Sequence, residues 1–220
     1  MSTAARKIRL LMELRGGGIA DTDVLAAIER IPRERFVPPS FQDQAYENTA
    51  LPIGQGQTLS QPAVVALMTQ ALQPDRSLKV LEVGTGSGYQ AAVLSRLFRR
   101  VYTIEQSAPL LKEAERRFAD LRLHNITCRH GDGALGWPEQ APFARMIVTA
   151  AAGDIPAGLV DQLGPEGLLV VPIGPRNRPQ RLIRVTRQAQ GFAEEDLGAV
   201  RFVPLLSGAA EAARSAGVAS

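Results

Sequence analysis

From Lys79 onward the chain alternates between short apolar runs and amphipathic stretches, and this alternation restricts the fold more than any other feature. KVLEVG, RVYTIE, ITCRH, RMIVTAA and LLVVPIG read as strands, with YQAAVLSRLF, PLLKEAERRFADL and GLVDQL as helices between them. Strands alternating with helices over short connections form βαβ units and a parallel sheet. Parallel strands are covered on both faces and are therefore apolar almost throughout, as these are. The expected fold is α/β, a doubly wound, mostly parallel sheet with helices on both faces. RLIRVTR and AVRFVPLL look like late strands, an antiparallel pair.

Ahead of this core the pattern is helical. Residues 6–15 and 22–31 read as two short amphipathic helices separated by Gly16, Gly17 and Gly18. In the second, Val24, Leu25, Ile28 and Ile31 recur at helical spacing, Asp21 is placed to cap it, and Pro32 ends it. RFVPPSF reads as an extended, proline-fixed segment. GQGQTLSQP (Gly54 to Pro62) then reads as a polar loop, too specific in composition to be filler. A helix starting at Pro62 follows, with Val64, Val65, Leu67, Met68 and Leu72 at helical spacing. The whole is expected to be one domain over 1–206, with residues 207–220 a frayed tail of small and polar residues.

Composition excludes several classes. The net charge of +3 comes from scattered arginines and points to no nucleic-acid surface. Arg99-Arg100 and Arg116-Arg117 read as solvated helix ends. A single cysteine, Cys128, rules out an internal disulfide and reads as a buried, inert thiol. His124 and His130 with no cysteine cluster offer no metal site. Arg9 and Glu13 interrupt the only apolar run near the start, against a signal peptide, and no run reaches the roughly 18 residues of a membrane span. The expectation is a cytoplasmic monomer that binds neither membrane nor nucleic acid.

The segment VLEVGTGSG sits where a doubly wound sheet binds its ligand, after the first strand and before the first helix. Gly84, Gly86 and Gly88 allow a tight turn and close backbone approach, with Thr85 and Ser87 between them. Glu105 ends the next strand, where an acid hydrogen-bonds ribose hydroxyls. The spacing is G-x-G-x-G rather than the G-x-G-x-x-G of dinucleotide folds, and Glu82 would oppose a pyrophosphate at the helix N-terminus. A carboxylate suits a cation. S-adenosylmethionine carries an ammonium and a sulfonium and no phosphate. The expected contacts are Glu82 to its cationic methionine end, Glu105 to the ribose, and Asp132 with Gly133 to the adenine amine.

With these residues in view, the chain closely resembles the protein-L-isoaspartate O-methyltransferases, a family of class I S-adenosylmethionine-dependent enzymes. The likeness runs from about Asp21 to Leu206 through RIPRERFVPP, YENTALPIGQGQTLSQPAVVALMTQAL, VLEVGTGSGYQAAVLSRL, HGDGALGW, APFARMIVTAAA, LLVVPIG and VRFVPL. The glycine turn alone indicates only the class; GQGQTLSQP with HGDG and RFVPL is far more specific. The resemblance implies a seven-stranded Rossmann-like sheet, with residues 1–75 carrying helices and a substrate loop and 76–206 the cofactor core. It implies that Ser60 is the active-site serine and that Gln57 and Thr58 help line the pocket. Leu51, Pro52 and Ile53 would form an apolar wall with Tyr46, and Phe202 and Val203 would offer backbone groups to a substrate peptide. The implied substrates are isoaspartyl-containing proteins and peptides, whose free α-carboxylate is methylated; the ester then collapses to a succinimide that can reopen to normal aspartate.

A carboxylic acid with a pKa near 4 is already the nucleophilic anion at neutral pH, so no general base is required. Two departures from the family's pattern stand out: Ala144 replaces an acid in the PFD-type motif, and Glu166 replaces a commoner glycine in a turn. The loss at Ala144 is expected to weaken cofactor binding, and that at Glu166 to matter little. A cofactor-binding protein with weak or lost catalysis is the alternative. A nicotinamide oxidoreductase is opposed by Glu82 and the glycine spacing, and a nucleic-acid methyltransferase by the lack of a basic, aromatic-rich stripe.

Overall fold

The computed structural model describes residues 2–175 and 177–205. Two helices, α1 (Thr3–Gly16) and α2 (Thr22–Arg30), lead into a hairpin of β1 (Leu51–Gly54) and β2 (Gln57–Leu59), then α3 (Pro62–Ala71). The core follows as β3 (Lys79–Val83), α4 (Tyr89–Leu94), β4 (Arg100–Glu105), α5 (Ala108–Asp120), β5 (Ile126–His130), β6 (Phe143–Val148), α6 (Ala157–Val160), β7 (Leu163–Ile173), β8 (Gln180–Arg187) and β9 (Phe192–Val200).

The main sheet has seven strands in the order β5-β4-β3-β6-β7-β8-β9. The pairs from β5 to β7 are parallel, and the last two are antiparallel. The strand order reverses between β3 and β6. Crevices at such switch points, beyond the carboxyl ends of the strands, are where open α/β sheets bind ligands. Alternating side chains of β3 feed two cores: Val80 packs with α1, α2, α3 and α4 on one face, and Leu81 and Val83 with Phe143, Leu159 and Val171 on the other.

Local chemistry accounts for the helix ends. The Asp21 carboxylate accepts from the amides of Asp23 (2.9 Å) and Val24 (3.1 Å) and so caps α2 as expected. Elsewhere the structure corrects the sequence reading. RFVPPSF is not extended: two 3-10 turns, Arg33–Phe36 and Pro39–Gln44, meet at Val37-Pro38. Pro39 opens the second because its fixed φ is already helical. GQGQTLSQP is largely the β1–β2 hairpin rather than a loop, closed by Gly54, Gln55 and Gly56 in left-handed conformations. RLIRVTR pairs antiparallel with β7 and, on its outer side, with Phe192–Val200, which takes in only the Ala199-Val200 start of AVRFVPLL. That strand is polar because it forms the sheet edge, where Glu195 stands opposite Arg184 and pairs with it. Arg117 is no solvated helix end; its side chain is 14% exposed and its guanidinium reaches the glycine turn. The tail expected to fray lies outside the described residues.

Candidate active site

A cavity of about 620 Å³ opens at the carboxyl ends of β3, β4 and β6. That volume falls within the range of small-molecule sites. Its floor is the turn from Gly84 to Ser87, its far wall Glu105 to Pro109, and its roof the hairpin segment Gln57–Ser60 together with Val203–Leu205. Among the described residues that line it there is no lysine or arginine, and Glu105 is the carboxylate present.

The turn is locked from three sides. Gly84 has φ +99°, and a Cβ there would stand 2.4 Å from the Thr149 hydroxyl. That hydroxyl bonds the carbonyls of Val83 (3.0 Å) and Gly84 (2.6 Å), tying β6 to the turn. Gly88, at φ +91°, lies so close to the Phe118 ring that a Cβ would meet it at 2.7 Å. Arg117, next to Phe118 on α5, donates to the Ser87 carbonyl at 3.1 Å.

Glu105 is fixed by two backbone donors: Gly86 N–H to Oε2 at 2.8 Å and Ser107 N–H to Oε1 at 2.9 Å. An acid so held can accept from a diol without first paying to become ordered. Glu82 is different. It is fully buried beneath the turn and does not line the cavity. Its Oε2 accepts from the Thr103 hydroxyl at 2.6 Å, and Thr103 Oγ1 lies 2.6 Å from that of Thr85. Burial pushes the Glu82 carboxyl up to about 8; the charge of Glu105 adds to this and the Thr103 bond opposes it.

The roof hangs on one arginine. Arg33, completely buried, donates Nε–H to the Ala45 carbonyl and Nη2–H to the Ser60 carbonyl, both at 2.8 Å. Its guanidinium lies 4.7 Å from the centre of the Tyr89 ring.

Residues 5–210 match the family described as protein-L-isoaspartate(D-aspartate) O-methyltransferase. The chain belongs to this family. A protein-L-isoaspartate O-methyltransferase of Rhodospirillum centenum is 67% identical over 207 residues, covering 94% of each chain. One of Paramagnetospirillum magneticum is 61% identical, covering 94% of this chain and 97% of its own. A solved protein-L-isoaspartate O-methyltransferase superposes with a TM-score of 0.84 at 28% identity, over 95% of this chain and 69% of its own. A Plasmodium falciparum structure, in complex with S-adenosyl-L-homocysteine, gives a TM-score of 0.77 at 24% identity over 90% of this chain and 97% of its own.

In this isoaspartate methyltransferase the cavity brings together Gln57, Thr58, Ser60, Gly84, Thr85, Gly86, Ser87, Glu105, Gly133 and Val203 from the sequence reading. Others fall outside the wall. Glu82 lies one layer behind it, because as β3's neighbour of Val83 it points to the opposite face. Asp132 caps a short turn, its Oδ1 accepting from Ala134 N–H at 2.9 Å. LPI is part of strand β1: Leu51 is buried, Pro52 is exposed, and Ile53 packs on the core with its side chain against Gly86 of the glycine turn, and none of the three is among the lining residues. Phe202 likewise packs on the core, while its amide donates to Gln180. Tyr46 is buried and donates to Glu34.

Ala144 sits near the start of β6, five residues before Thr149 at the cavity. At about 3.3 Å per residue that is roughly 16 Å away. Any effect of Ala144 on the cofactor site is therefore indirect, through the sheet and not by contact. Cys128 is half-buried, not fully buried as expected, and burial pushes its thiol up to about 12.

Sequence reasoning missed Arg33, Tyr89, Thr103, Arg117 and Thr149. Arg33 has Arg30 and Arg35 as near neighbours in sequence, and no local pattern separates the buried one from the exposed ones. Thr103 had a usable signal, a polar residue at an inward position of an apolar strand.

Proposed function

We infer that this enzyme transfers the methyl group of S-adenosylmethionine to the free α-carboxylate of L-isoaspartyl residues in damaged proteins, initiating their repair. The observation that carries the cofactor reading is the cavity's charge: a fixed carboxylate, Glu105, and no lysine or arginine among the described lining residues, where the one imidazole, His130, has its Nε2 on the Gln106 carbonyl. Phosphate-bearing cofactors lack a lysine or arginine partner there, whereas a phosphate-free, cationic nucleoside fits. When bound, S-adenosylmethionine supplies an electrophilic methyl group on a sulfonium.

In this reading Glu105 takes the ribose hydroxyls, and Gly84 to Ser87 present backbone to the methionine portion. Gly133 borders the adenine, with Asp132 beside it. Glu82 acts through Thr103 and Thr85 rather than by contact. The hairpin residues Gln57 and Thr58 close over the site, and Ser60 donates a hydrogen bond that aims the substrate carboxylate. Val203 to Leu205 lie along the cavity rim, with Val203 O and Leu205 N bonded to Ala151 at 2.7 Å, and so fix one side of the peptide entry. The unit is a single domain of residues 1–206, in which 1–75 present the acceptor and 76–206 hold the cofactor. A cytoplasmic monomer that acts on proteins and not on nucleic acids completes the proposal.

The chemistry asks for positioning more than proton transfer. An ionised carboxylate needs no base, so alignment in a water-poor pocket supplies most of what the step requires. Transfer of radiolabelled methyl to an isoaspartyl peptide, with its aspartyl isomer as control, tests the assignment. Ser60→Ala is expected to lower turnover about 100- to 1000-fold, as for loss of one preorganised donor, while adenosylhomocysteine binding is retained. Equal labelling of the two isomers refutes the substrate; a trapped ester on Ser60 refutes its role.

A further inference from the structure

We propose that Arg33 is the charge that selects a carboxylate at the acceptor subsite, a positioning residue acting from behind the wall. This deepens, and rests on, the function proposed above.

A completely buried arginine normally faces a carboxylate. Among the described residues no acid lies within ion-pair distance of Arg33. Glu34, its sequence neighbour, accepts instead from the Tyr46 hydroxyl. Two of the guanidinium nitrogens hold the Ala45 and Ser60 carbonyls; Nη1 is buried without a hydrogen bond of normal geometry, and the neutral Tyr89 side chain is what stands against the guanidinium inside the fold. Burial lowers the pKa of the guanidinium, with Tyr89 partly offsetting this, yet an arginine stays charged. The molecule thus keeps a desolvated positive charge without a counter-ion, which is costly unless a transient partner supplies one.

The location identifies that partner. Ser60 and Tyr89, the two residues that Arg33 touches on this side, both line the cavity. The cavity's own carboxylate, Glu105, would repel an incoming anion. Arg117, the other cation near the turn, is already paired with Glu113 at 2.9 Å. Arg33 is therefore placed to offset the acidic field where a carboxylate meets Ser60. Because it sits one residue-layer back, it attracts the anion without gripping it in a bidentate pair.

The test is binding, not turnover, so that it stands apart from catalysis. Enzyme saturated with adenosylhomocysteine is titrated calorimetrically with two otherwise identical peptides. One carries the isoaspartyl carboxylate and the other the neutral isoasparaginyl carboxamide. Wild type is expected to prefer the carboxylate. Arg33→Met is expected to reduce that preference about tenfold or more, the scale of one buried charge acting across a residue layer. Arg33→Lys keeps the charge and is expected to retain most of the preference while both peptides bind more weakly. A purely structural role predicts that Arg33→Met weakens both peptides equally; that result, or no preference in wild type, overturns the proposal. If Arg33→Met does not fold, Arg33→Lys decides alone, since loss of preference with the charge retained also overturns it. Failure of the isoaspartyl methylation assay with wild type would instead refute the function itself.

Discussion

Glu82 makes stability depend on pH in a direction opposite to most carboxylates. In the unfolded chain it titrates near 4.5; in the native state burial raises it to about 8. Between these values the native protein holds a proton that the unfolded chain has lost. Stability therefore falls as pH rises through that interval, by about 1.4 kcal/mol per unit, and levels off above about pH 8. The accumulated loss is on the order of 5 kcal/mol, a large share of the 5–15 kcal/mol typical of a domain. The other resolved shifts act outside the interval. Asp75, Glu139 and Asp196 are exposed and held below the usual carboxylate range, so what they contribute is lost only in acid. Cys128, raised to about 12, acts only above its ordinary value of 9. Urea unfolding from pH 5 to 8, for wild type and Glu82→Gln, isolates the group. The glutamine has nearly the same shape but leaves a buried amide to satisfy, at about 1–3 kcal/mol at every pH. The variant is expected to be less stable than wild type at pH 5, more stable at pH 8, and nearly flat between, with the two lines crossing between about pH 5 and 7. Parallel lines, or wild-type stability that rises across this range, would refute the reasoning.

Three further substitutions probe the site and its frame. Glu105→Gln removes the cavity's fixed anion while leaving an acceptor for Gly86, so adenosylmethionine affinity is expected to fall about tenfold by calorimetry, in keeping with a charge-assisted bond being replaced by a neutral one. Glu166 adopts φ +54°, a conformation costly for a residue with a Cβ, so Glu166→Gly is expected to stabilise by about 0.5–1 kcal/mol, read as a higher urea midpoint at unchanged slope. Ala144→Asp, which restores the family's acid at the far end of β6, is expected to shift cofactor affinity by less than about twofold in the same titration.

The sheet was legible because its signals are local. β4 and β5 run over the residues read as RVYTIE and ITCRH, since each is a short β-branched or aromatic run bounded by helix and turn signals, even though β5 is itself an edge strand and only partly buried. β9 was not, because an edge strand satisfies its side chains with water and cross-strand ion pairs and so reads as a loop. The hairpin was hidden for a similar reason: Gly54 to Gly56 look like loop chemistry, and only the pairing of Leu51 with Leu59 makes a strand of the flanks. In the site, Glu105 was legible because its role follows from its place at a strand end. Arg33 was not, because its role comes from Ser60, Ala45 and Tyr89, which the fold brings to it from 12 to 56 positions away.

The charge layout suits the reaction proposed for it. A carboxylate anion and a sulfonium cation become a neutral ester and a neutral thioether, so charge disappears on the way to the transition state. Groups that grip either ion tightly in the ground state would lose that interaction as the methyl moves, and would slow the step. This structure avoids such grips. The Glu82 carboxyl lies beneath the turn, biased toward its neutral form, and the charge of Arg33 stands behind Ser60. The surfaces facing the cavity are backbone, hydroxyls, amides, apolar side chains, the His130 imidazole and one acid, Glu105. Distant charges set which molecules enter and how they are oriented, and the low-dielectric space between them favours collapse of the ion pair into neutral products.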